Sequence, residues 1–181
     1  METWIISDTH FGHKSICKFL REDGTKLRPW DNVDEMDAVM IQRWNDVVKP
    51  RDTVYHLGDV VMNRHCLETV GKLNGNKKLI MGNHDNFDHS EYLQYFSRLH
   101  GSMKLDGMLL THIPIHQDSS RWCLANVHGH IHSQVIPDPR YYNVSVEQID
   151  YQPQPLYLVK ENIIRQQQLS EQAKQIVLDL M

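Results

Sequence analysis

Four times in this chain a short apolar run stops at a cluster of aspartate, asparagine and histidine. The sharpest case is Leu79-Ile80-Met81-Gly82-Asn83-His84-Asp85. The others are Trp4-Ile5-Ile6-Ser7-Asp8-Thr9-His10, Val54-Tyr55-His56-Leu57-Gly58-Asp59 and Val127-His128-Gly129-His130-Ile131-His132, with Leu109-Leu110-Thr111-His112 as a weaker fifth. Apolar runs of this length read as buried strands. Open α/β sheets build their sites at strand carboxyl ends. The chain therefore reads as a frame that brings these ends together.

The segments between them complete an α/β pattern. Strands are expected at 4–7, 53–57, 78–81, 108–111, 125–127 and 142–146, with one more at 156–159. Short helices are expected at 14–20, 65–73 and 89–99. A longer helix, capped by Asp34 and running to about Val48, carries the stripe Met36, Val39, Met40, Trp44, Val47 and Val48 at helical spacing, which is core packing. Residues 117–122 read as a polar loop. A loop from Glu161 leads into an amphipathic helix over about 165–181, docked on the domain or used for self-association. No repeat or low-complexity linker divides the chain, so a single domain over 1–181 is expected.

The chain has 181 residues and 40% hydrophobic content, which permits one sizeable core and fits neither a disordered nor a membrane-spanning protein. No basic segment with a cleavage site precedes Trp4, and Cys17, Cys66 and Cys123 are odd in number and widely spaced. Both point to a cytoplasmic protein with reduced thiols. The net charge of −4 argues against a grip on long nucleic acid, which needs a basic face. The expected partner is a small phosphorylated or nucleotide substrate, with no membrane. A second copy bound through the C-terminal helix stays open.

Twelve histidines are many for this length, and His10, His84, His112, His130 and His132 fall in the strand-end clusters. Residues Asp8 and His10, at i and i+2 of an extended segment, would face one ion; a turn with a surface histidine is the alternative reading of that triplet alone. Together the clusters hold Asp8, Asp59, Asn83 and the histidines. Mixed nitrogen and oxygen donors without cysteine suit Mn²⁺, Fe, Zn²⁺, Co²⁺ or Ni²⁺, with Mn²⁺ preferred. There are too many donors for one ion, and two ions bridged by a carboxylate would use them.

Asp8-x-His10, Gly58-Asp59, Gly82-Asn83-His84-Asp85, His112-x-Pro114 and Gly129-His130-x-His132 resemble, in order, the five motifs of the calcineurin-like metallophosphoesterases. The resemblance implies a four-layer α/β/β/α sandwich with two mixed sheets and a two-metal centre. It assigns Asp8, His10 and His132 to the first metal and Asn83, His112 and His130 to the second. Asp59 would bridge them, and His84 would be a catalytic histidine outside the ligand set. Two such cations, roughly 3.5–4 Å apart, clamp a phosphoryl group and acidify a shared water that attacks phosphorus.

The protein-phosphatase branch of that family follows its Gly-Asp motif with an acid and an arginine. Here Val60-Val61-Met62-Asn63-Arg64 follows, so the orienting acid for His84 is missing, and Asp85 is one candidate for its place. The repair nucleases' extra domain is also absent. The sequence resembles the compact bacterial and phage phosphodiesterase-like members. The expected function is metal-dependent hydrolysis of a small organic or nucleotide phosphodiester, or a monoester. A small nuclease acting on single strands or ends and a non-enzymatic metal-binding scaffold are the alternatives. Arg28, Arg64 and His13 are the candidate substrate contacts, with Arg21 and Lys26 in the charged loop 21–29, which reads either as a solvated linker or as a flap over the site.

Overall fold

The structure is a computed structural model that describes residues 1–180. Its first sheet has the order β4-β3-β2-β1-β9, where β1 is Thr3–Ile6, β2 is Thr53–His56, β3 is Asn76–Ile80, β4 is Arg98–His100 and β9 is Gln154–Pro155. Strands β1 to β4 are parallel to their neighbours and β9 is antiparallel to β1. The second sheet has the order β5-β6-β7-β8, where β5 is Met103–Leu105, β6 is Met108–Leu110, β7 is Asn126–His128 and β8 is Tyr141–Asn143. Only β5 is antiparallel there. Both sheets are therefore mixed, as expected, and helices flank them.

Consecutive apolar residues of the first sheet serve two different cores. Ile6, Val54 and Leu79 point to one face, with Met36, Met40 and Trp44 of helix α1 (Val33–Val47) and with Leu67 and Val70. Ile5, Tyr55 and Ile80 point to the other, with Met108, Leu110 and Val127 of the second sheet. This is why the runs are continuously apolar rather than alternating: both faces are covered. Trp44 is fully buried, and its indole N–H donates to the Asn74 carbonyl. Both requirements of a buried tryptophan are thus met.

Several boundaries differ from the sequence expectation. Asn32, not Asp34, caps α1, accepting the Asp34 N–H at 2.7 Å. The segments at Lys14–Lys18 and Arg64–Lys72 are 3-10 helices. The helix expected at 89–99 is only the single turn α2 (His89–Tyr92), closed by a capping box from Asp88 and Glu91. From Arg98 the chain enters strand β4, where Leu99 pairs with Leu79 at the sheet edge. Within the expected loop at 117–122 lies a short helix, α3 (Gln117–Ser120).

The largest correction is at the C-terminus. The strand expected at 156–159 and the loop after it are one helix, α4 (Leu156–Asp179). Leu156, Val159 and Ile163 are its buried positions, a helical stripe that β alternation would split between two faces. Beyond Ser170 every described residue is exposed, including Ile176 and Val177, and position 181 lies outside the described residues. No described helix is long and apolar enough to cross a membrane.

This division of α4 is testable. Ile163→Ala should destabilise the protein by about 2–5 kcal/mol through loss of a fully buried side chain. Ile176→Ala should change stability by less than about 0.5 kcal/mol. Urea denaturation at one protein concentration measures both, and equal losses would contradict the burial found here.

Candidate metal centre

The strand ends are held together by backbone hydrogen bonds before any side chain is considered. Asp8 N–H donates to Gly58 O, His10 N–H to Asp59 O and Phe11 N–H to Val60 O, each at 3.0 Å. Ser7 N–H reaches Val144 O across the two sheets. Asp8, His10, Asp59, His130 and His132 all have positive φ, between 48° and 70°. Left-handed backbone is costly for residues other than glycine and concentrates at functional sites. Asp8 and His10 therefore meet by two left-handed kinks, not by the extended i, i+2 geometry expected from the sequence.

Gly58 and Gly82 let two of these ends touch. Gly58 has φ 97°, and a Cβ there would lie 2.6 Å from Gly82 N. A Cβ on Gly129 would collide with the Asp8 carboxylate and Ser7 Oγ. The glycines of the motifs thus serve close approach between the strand ends.

Two trios converge there: Asp8 with His10 and His132, and Asp59 with His112 and His130, with donor atoms inside each trio within 4.8 Å of one another. Asp59 Oδ2 lies 3.4 Å from His112 Nε2 and 3.5 Å from His10 Nε2, so it stands between the trios. Asn83 Oδ1 is 2.9 Å from His112 Nε2 and joins the second trio. His130 Nδ1 is 3.3 Å from the same nitrogen.

The chemistry of this donor set fits divalent cations. His10 is buried with both ring nitrogens unpartnered. Such atoms are costly unless they bind something. His112 Nδ1 sits 2.8 Å from Leu57 O, which fixes that nitrogen as the donor and directs the Nε2 lone pair at Asn83 Oδ1 and Asp59. A cation or a proton must neutralise that convergence of acceptors. Accordingly the His112 pKa is raised: burial opposes it, but the Asp59 hydrogen bond and the Asp8 and Asp59 charges outweigh burial. Burial also acts to raise Asp59, yet His112 and the His84 N–H hold its carboxyl well below the usual carboxylate range. His10 is pushed the other way, well below the ordinary histidine value, by burial and the Arg28 charge.

A second ring of residues holds the donors, and most of it was not visible in the sequence. Arg28 is corrected from a substrate contact: it is fully buried, donating to Asp8 O at 2.6 Å and Thr9 O at 2.8 Å. Its Nε pairs with the buried Glu147 at 2.8 Å. Glu147 also accepts from His132 Nδ1 at 3.1 Å, so one carboxylate orients a ligand-type histidine and neutralises the arginine beneath Asp8. Ser145 Oγ donates to Asp8 Oδ2 at 3.0 Å. Glu147 carried no local signal; only its placement after the Asn143-Val144-Ser145-Val146 stretch hinted at proximity.

Asp85 also has a defined place. It accepts the backbone N–H groups of Asp59 at 2.7 Å, Gly82 at 2.9 Å and Val60 at 3.0 Å, staples two strand ends, and is not the partner of His84. His84 is half-buried and anchored by its own N–H on Asp59 Oδ1 at 2.9 Å, with its ring edge-on to His10 at 5.5 Å between centroids. His13 lies on the same side, 5.5 Å from the His10 ring. Arg64 is exposed and pairs with Glu91 at 3.3 Å. His116 caps α3 at the surface, and His128 is a buried strand residue with Nδ1 2.8 Å from Gly129 O.

Comparison with known proteins places this geometry. The profile described as calcineurin-like phosphoesterase matches residues 1–179. The uncharacterized protein MJ1445 of Methanocaldococcus jannaschii is 33% identical over 177 residues, covering 86% of this chain and 88% of that protein. The gene 66 protein of Mycobacterium phage L5 is 29% identical, covering 74% of this chain and 79% of its own. The crystal structure of AQ665 from Aquifex aeolicus, a protein of unknown function, matches with TM-score 0.65 at 27% identity, covering 88% of this chain and 98% of that one.

Two measurements test the supporting ring. Arg28→Met leaves Glu147 buried without its cation, and should cost about 3–5 kcal/mol and disorder the Asp8 loop, lowering metal content by inductively coupled plasma analysis. The second concerns His56, which burial holds neutral down to about pH 3 against an ordinary 6.5. Between those values the unfolded chain binds the extra proton, so stability falls as pH is lowered, by about 1.4 kcal/mol per unit from this one residue. His56→Gln, which can keep the contacts to Thr9 Oγ1 and Gly58 N–H, should flatten the slope of stability against pH below 6 by about one proton.

Proposed function

The chain belongs to the calcineurin-like phosphoesterase family, and on that premise we propose that it hydrolyses a small organic or nucleotide phosphodiester with two divalent metal ions, Mn²⁺ first among them. The observation that carries the reading is the position of Asp59, whose Oδ2 is within 3.5 Å of a histidine in each trio. In this reading Asp8, His10 and His132 would hold one ion, Asn83, His112 and His130 the other, and Asp59 both. Ions bound there would supply Lewis-acid polarisation of the phosphoryl group and would acidify a bound water.

The chain's own residues do the rest. Glu147 on His132 Nδ1 and Leu57 O on His112 Nδ1 fix the tautomers, leaving each Nε2 free to coordinate. His84 belongs to neither trio but is tied by its backbone to Asp59. It is the general acid of this proposal, giving its ring proton to the departing ester oxygen. His13, beside His10 with a buried, unpartnered Nδ1, is the wall on that side and a contact for the substrate. The three cysteines are unpaired among the described residues, which supports a cytoplasmic setting.

The test separates the two roles. His84→Ala should retain two metal equivalents and lose ~10²–10⁴-fold in kcat on esters with poor leaving groups, with a smaller loss on p-nitrophenyl esters. Asp59→Asn should lose metal and activity together. Unchanged turnover in His84→Ala would remove it as the acid, and a fully metallated, active Asp59→Asn would remove the bridging role.

A further inference from the structure

An open groove of about 590 Å³ adjoins the second trio, with Asn83 and His112 in its wall. Met81, Leu109 and Ile113 line it as well, and so does Lys104. Sheet register explains the arrangement. Lys104 on edge strand β5 is the direct partner of Leu109 on β6, so their side chains share one face. Met108 and Leu110 turn to the core on the opposite face. Ile113, next to His112, is 48% exposed, a large apolar side chain beside a polar centre. Asp106, two residues from Lys104, is paired with Lys160 at 2.9 Å. Lys104 itself has no ion pair among the described residues.

We propose that this groove takes the non-leaving arm of the diester, that the arm is apolar or aromatic, and that it carries a second anionic group which Lys104 selects. The inference rests on the phosphoesterase reading given above. Its basis is the combination of three features in one continuous cavity. The inner end is the donor set that would engage the phosphoryl group. The walls are apolar, and covering them removes apolar surface from water. At the edge strand stands one unneutralised cation, a point charge suited to a carboxylate or phosphate. A methyl ester would leave the walls wet, and a neutral arm would leave Lys104 without a partner.

A series with one leaving group and three arms tests this: methyl, phenyl and p-carboxyphenyl p-nitrophenyl phosphate, each with the Mn²⁺-loaded protein. The expected order of kcat/KM is methyl, then phenyl, then p-carboxyphenyl, the differences lying in KM. Lys104→Gln should abolish the p-carboxyphenyl advantage over phenyl, about three- to fivefold for a pair at this exposure. Lys104→Arg should preserve it, and Ile113→Ser should reduce the phenyl advantage over methyl. An unchanged p-carboxyphenyl-to-phenyl ratio in Lys104→Gln would overturn the role of Lys104, and equal rates for all three arms would overturn the groove. If the wild-type protein cleaved none of the three, the phosphodiester reading itself would fall, and this inference with it.

Discussion

Asp59 is the residue on which the structure converges. Its carboxylate lies between His10 and His112, its Oδ1 accepts the His84 N–H, and its own N–H is held by Asp85. Removing the acceptor would release the His84 loop, and removing Asp85 would release the turn that presents Asp59. Each element of the site is fixed by a neighbour in another strand. Five left-handed residues are kept in place by this mutual bracing rather than by local preference.

The arrangement also explains why so much polarity is tolerated in a buried place. Arg28 and Glu147 are both buried as a pair, with the guanidinium donating to two backbone carbonyls and the carboxylate accepting from a histidine. A buried pair is maintained only where its remaining hydrogen-bonding capacity is met. Here the Asp8–Thr9 carbonyls and His132 meet most of it, Glu147 Oε2 alone being buried without a partner, and the pair joins two distant segments of chain at the base of the site. His56 follows the same logic as a neutral group, bonded to Thr9 and Gly58.

The strands were legible because the carboxyl ends of β1, β2 and β3 are buried on both faces and carry apolar runs, although β3 opens on Asn76-Lys77-Lys78. Helix α1 was legible because its stripe repeats at 3.6 residues. Misreadings came where pairing or docking outweighed local pattern. Leu99 left a helical context to pair with Leu79, and Leu156 to Val159 left a β-like composition to dock a helical stripe. Arg28 read as a substrate contact because it sits in a charged loop. Nothing in that loop reveals that a glutamate 119 positions away is its partner.

The amino-acid sequence by itself determined the chemistry on offer: which donors exist, that they follow strand-forming runs, and that cysteine is not among them. These properties are local, since each rests on residue type and spacing within a few positions. The tertiary structure decided which donors share a space, that Asp59 stands between two trios, that Asp85 staples rather than orients, and that Arg28 and Glu147 lie beneath the site. It also decided that Lys104 faces a groove beside Asn83 and His112. Those facts depend on strand order and register across two sheets, which bring residues more than a hundred positions apart within hydrogen-bonding distance.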